Sequence, residues 1–109
     1  MKEEIRERAV QIIKLLGKED DILLENFHNM LVYLELLRVA IKDKDLNDAT
    51  KQYKKFEDAH TTVWKKVLEH KDKIKTEDVG IVLKYLQMIG RNAKKQYLDF
   101  LTRMTGLRI

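Results

Sequence analysis

The chain has 109 residues, of which 44% are hydrophobic and 37% charged, with a formal net charge of +4. That is length for one domain, and the hydrophobic content excludes a disordered chain. Proline and cysteine are absent and only four glycines occur. A turn-rich β-sandwich or barrel is therefore excluded, as are a disulfide framework, a thiolate zinc site and a thiol nucleophile.

The first apolar stripe is Ile5, Ala9, Ile12, Leu16, Leu23, Phe27, Met30, Leu34, Leu37 and Ile41. Steps of three and four residues mark a helix face packed in a bundle. From Leu16 to Leu23 the step is seven, so the register survives Gly17-Lys18-Glu19-Asp20. The pattern favours one helix from about residue 3 to 43; a break at Gly17, with Asp20 as N-cap, is the alternative.

Lys42-Asp43-Lys44-Asp45 reads as a polar turn, with Asp45 capping the next helix. The second stripe is Leu46, Ala49, Tyr53, Phe56, His60, Val63, Val67, His70 and Ile74, widened by Trp64 and Leu68. Lys71–Lys75 ends that helix, and Thr76 is expected to cap the last, with Glu77 and Asp78 in its first turn. The third stripe is Val79, Val82, Leu86, Ile89, Ala93, Tyr97, Phe100, Met104 and Leu107, and Gly106 stands where a helix should stop.

These elements predict a single all-α domain over 1–109. It is an antiparallel three-helix bundle, because the connections are short, or a four-helix one if the first helix breaks near Gly17. Leu24, Leu31, Val32 and Leu36 widen the first apolar face beyond what two partners cover, which predicts a homodimer or larger assembly. No apolar run approaches the ~20 residues that span a bilayer. Met1-Lys2-Glu3-Glu4 lacks the basic-then-apolar order of a signal peptide. A cytoplasmic protein without membrane insertion is expected.

Within residues 30–100, a leucine-rich helix ends at Ile41-Lys42-Asp43-Lys44-Asp45-Leu46 and Glu57-Asp58 lies midway along the next. Thr76-Glu77-Asp78-Val79 and Leu86-Gln87-Met88-Ile89-Gly90-Arg91-Asn92-Ala93 follow. This order resembles one three-helix repeat of the PhoU-like family, whose usual member has two. The resemblance implies a modulator of phosphate uptake and signalling that acts through protein contacts. It also implies carboxylates that bind clustered metal ions. Glu57 matches the first acid of that pattern, but Thr61, Gln87 and Arg91 stand at three other acidic positions. Hard cations need several oxygen ligands, so no family-type metal cluster and no cofactor are expected. If the last two helices reverse near residue 74, Glu57 and Arg91 lie level. Either they form an ion pair where the metals would sit, or both point to solvent.

A rival chemistry comes from two Glu-x-x-His pairs, Glu25/His28 and Glu57/His60. This spacing puts both side chains on one helix face, as in di-iron carboxylate bundles. A hairpin turning near residue 44 brings His28 and His60 level, either as metal ligands or as a hydrogen-bonded or interfacial pair. The third helix offers no glutamate beyond Glu77 at its start.

Residues 1–43 carry a charge of −2 and residues 91–108 one of +4. The basic end would suit nucleic acid or phosphate. Equally, cations at a helix C-terminus complement the macrodipole, and no aromatics are interleaved as stacking platforms. Trp64 and Tyr85 fit either an interface or a core. Gly80 and Gly90 suit close helix packing and not a phosphate loop. The chain has no serine, and Thr61 and Thr62 lie too close to His60 in sequence to indicate a triad. The expected function is thus a non-enzymatic regulatory or scaffold bundle. Its alternatives are a metal-binding di-iron-like bundle and a nucleic-acid-binding protein using the basic C-terminal helix.

Overall fold

The structure, a computed structural model, describes residues 2–106. Four helices carry almost all of it: α1 Lys2–Gly17, α2 Asp21–Lys42, α3 Leu46–Glu69 and α4 Thr76–Thr105, with a 3-10 turn at Lys71–Lys73 before α4. No strand occurs among the described residues.

The first stripe is thus two helices and not one, which corrects the favoured reading of residues 3–43. After Gly17 the ladder tightens to bonds of the i→i−3 kind, from Lys18 to Leu15, Glu19 to Leu16 and Asp20 to Gly17. Asp20 is then extended (φ −143°, ψ 90°) and its carboxylate accepts from the Leu23 N–H at 3.1 Å, starting α2. A Cβ on Gly17 would lie 3.0 Å from the Leu24 Cβ, so glycine lets α1 fold back on α2. Periodicity is silent about this, because a seven-residue step puts Leu16 and Leu23 on the core side in either geometry.

Side-chain pairings give the helix directions. Gly17 meets Leu24, and Arg6, Val10 and Lys14 share a cleft with Leu24, Phe27 and Leu31. Asp20 bonds His70 while Lys55 reaches the Tyr33 ring. Thr50 bonds Tyr97, and His60 bonds Leu86. Arg8 pairs with Asp78 at 3.2 Å, whereas Ile5 and Arg6 lie beside Met88 and Ile89. Each helix therefore runs opposite to the next, and α1 runs opposite to α4 as well. At 1.5 Å per residue α4 is ~45 Å long and α1 only ~24 Å, so α1 stops well short of the end of α4.

Ile13, Leu23, Met30, Leu37, Phe56, Val63, Val67, Val82 and Leu86 are the largest fully buried side chains, and all but Ile13 lie on the expected stripes. Tyr85 fills core and Trp64 packs partly buried against it. Leu68 and Met104, counted on the stripes, are instead exposed. Leu107 and Arg108 lie outside the described residues.

Asp45 caps α3 as expected, accepting from the Asp48 N–H at 3.0 Å. Thr76 does not cap α4. Lys75 holds that position, its carbonyl accepting from Asp78 and Val79, and no side chain completes the cap. Gly106 closes α4 in the left-handed region at φ 72°.

Candidate functional site

The residues proposed for metal binding take different surroundings. His60 is half-buried, and its Nε2–H donates to the Leu86 carbonyl at 2.7 Å. Gly90 makes this approach possible, since a Cβ there would stand 3.1 Å from that nitrogen. The ring also stacks on Phe56 and tilts against Trp64. His28 is exposed and borders the cleft between α1 and α2. Glu25 is exposed too. Glu57 sits beside Tyr53, whose hydroxyl pKa is pushed up to about 12 by burial first and by the nearby carboxylate second. No group of three or more His, Asp or Glu side chains among the described residues is placed to hold a metal ion. His28 and His60 are level along the hairpin but on different faces, a difference that spacing within each helix does not encode.

Glu57 and Arg91 are both exposed, and they are not among the ion pairs within 4 Å formed by the described residues. Arg91 follows Gly90, which faces His60, and one residue turns the helix by about 100°. That rotation carries Arg91 off the α3 side and onto the groove between α2 and α4.

A second polar cluster ties the α1–α2 junction to the end of α3. The Asp20 carboxylate accepts from His70 Nε2 at 2.7 Å and lies 3.7 Å from the Lys66 ammonium, while still capping Leu23. The His70 hydrogen bond is the largest influence holding the Asp20 carboxyl below its ordinary range. Lys73 and Glu19 make a further contact at 3.4 Å beside it. The sequence marks Asp20 as a cap but not its partner, because the two lie 50 positions apart.

The most distinctive surface is the α2–α4 groove where α1 stops. Its upper part is bounded by Lys2 and Arg6 of α1, Leu34 and Arg38 of α2, and Lys84, Met88, Ile89, Arg91 and Lys95 of α4. Farther along the same seam, Ile41, Phe100 and Met104 form an apolar floor beside Lys42, Lys44 and Arg103. Nine cations line these two stretches against one carboxylate, Glu3. Arg38 is held by Glu35 at 2.6 Å. Lys84, Arg91 and Lys95 make no ion pair within 4 Å among the described residues. The spacing Lys84, Arg91, Lys95 is a one-sided basic edge visible in the sequence; the floor and the opposite rim are not.

On the outer face of α2, Ile22, Val32, Leu36 and Val39 are 53%, 39%, 41% and 51% exposed. With Glu25, Asn29 and Asp43 they follow an unbroken three-four spacing. No helix among the described residues is long and apolar enough to cross a membrane. Comparison with protein-family models, curated proteins and solved structures found no match in any of the three.

Proposed function

We propose that the protein is a non-enzymatic, self-associating helical module that works through protein contacts, in the manner of the PhoU-like regulators its motif order resembles. The carrying observation is the outer stripe of α2. Its apolar residues keep coiled-coil spacing on a helix whose opposite side already supplies the core. A second copy fits this stripe in particular, because its edge is self-complementary. Asp21, His28, Glu35 and Lys42 recur at seven-residue intervals and all are exposed. In an antiparallel pair of α2 helices, Asp21 of one copy opposes Lys42 of the other and His28 opposes Glu35. The inner histidines support binding over proton transfer, since His60 and His70 each spend Nε2 on a structural hydrogen bond. Regulation of phosphate uptake or signalling is the setting that the resemblance supplies.

Light scattering after size exclusion tests the assembly. The expected result is twice the mass of one chain, falling to one chain for Leu36→Glu with helical circular dichroism unchanged. A single-chain mass at about 100 μM protein, where a micromolar dimer is fully formed, overturns the reading.

A further inference from the structure

We propose that the groove between α2 and α4 seats an acidic amphipathic helix of a partner protein, laid end to end with α1. This names a partner chemistry for the protein-contact reading above and rests on it. The geometry supplies the shape. α1 starts beside Met88 and Asn92, whereas α4 continues to Thr105. That leaves the last ~20 Å of α4 without α1, flanked by α2 as far as Lys42. Met104, 43% exposed, and the partly buried Ile41 floor this stretch above the buried Phe100. They continue the line of Leu34 and Ile89, which border the groove where α1 ends. A helix lying on an apolar floor presents residues at i, i+3, i+4 and i+7 to it.

Charge supplies the identity. Cations stand on both banks, Arg38 and Lys42 on α2 and Arg91, Lys95 and Arg103 on α4. A helix with Glu or Asp on either side of its apolar stripe meets both rims at once, and a basic or neutral helix is repelled or unsupported. Three carboxylates soften the field: Glu3 at the α1 end, Glu35, which pairs with Arg38, and Asp99, which follows Lys95 by one turn of α4. A single nucleic-acid strand fits less well. It needs exposed rings on which bases stack, and the groove's rings, Tyr85 and Phe100, are 6% and 2% exposed.

The test titrates the whole chain with a synthetic acidic peptide of about 16 residues, patterned with an apolar stripe and glutamates on both flanks. A scrambled peptide of equal charge and a single-stranded RNA oligonucleotide are the comparison probes. Amide and methyl NMR shifts should move at Ile41, Met88, Arg91 and Met104, and the scrambled peptide should bind at least about tenfold more weakly. Reversing Arg91 and Lys95 to Glu should weaken the patterned peptide by about tenfold or more. The same reversal of Lys54 and Lys65, exposed on α3, should leave binding unchanged. Equal binding of the scrambled peptide, preferential binding of the RNA, shifts elsewhere, or no saturation by about 1 mM peptide each overturns the proposal. Because the groove and the outer stripe of α2 are separate faces, failure here leaves the chain's measured mass unaffected, and a monomeric chain leaves the groove titration interpretable.

Discussion

Asp20 shows how much one carboxylate can hold. It caps α2, accepts from His70 and lies near Lys66, so the start of α2 and the end of α3 converge on it. Replacing it with alanine removes the cap and strands His70, and should cost about 2 kcal/mol in urea unfolding at neutral pH. Its carboxyl titrates below the ordinary value of 3.8 in the folded protein, chiefly through the His70 hydrogen bond. Between the folded and unfolded values the unfolded chain therefore binds more protons, and stability rises with pH. The contribution is fully present above the ordinary carboxylate range and is lost as pH falls through the lowered value. An acid-side stability profile should be shallower in Asp20→Ala than in the wild type, and parallel profiles would contradict this. Gly90 gives a second expectation at this scale. Alanine ordinarily favours a helix interior over glycine by about 1 kcal/mol. Here its methyl would press on an imidazole pinned by Phe56, Trp64 and the Leu86 carbonyl. Gly90→Ala should therefore destabilise the wild type but stabilise a His60→Ala background, a change of sign that a double-mutant cycle of thermal melts reads directly.

At the scale of elements, the turns decide more than the stripes do. Lys44 closes the α2–α3 turn at φ 57°, a left-handed conformation costly for a side chain with a Cβ. Lys44→Gly should thus stabilise the protein by about 0.5–1 kcal/mol, seen as a higher melting temperature. No change would mean that the Lys44 side chain contributes contacts of similar size. The turn after Gly17 works the other way, because a tight approach to Leu24 selects the glycine and Asp20 supplies the new start. Of the helix starts and stops marked in the sequence, Asp45, Gly106, the turn after Lys42 and the halt near Lys71 held, as did the alternative start at Asp20. Thr76 failed because the 3-10 turn delivers the chain so that Lys75 accepts the first helical bonds.

Across the whole molecule, one short helix leaves a long bundle unequally covered. α1 stops short of the end of α4, and the space beyond it opens as a cationic groove beside the end of α2. The outer face of α2 is a second unshielded surface, on the far side of the same helix from its core residues. The stripe offers branched apolar side chains interspersed with Glu25, Asn29 and Asp43, and a self-complementary edge, which suits a copy of the chain. The groove offers positive charge, which suits an acidic stranger. One helix can serve both, since its faces are fixed by the core between them.

The sequence by itself determined the all-helical class, the residues of nearly every core stripe and the start of α3, because local hydrogen bonding and the 3.6-residue period are written into neighbouring positions. Tertiary structure alone decided the rest. It folded α1 back at Gly17, parted His28 from His60, and paired Asp20 with His70 across 50 positions. It also turned Arg91 from the α3 side towards a groove. Each of these depends on which faces of two helices meet and on how far one rotates about its axis, quantities that periodicity within a single helix leaves free.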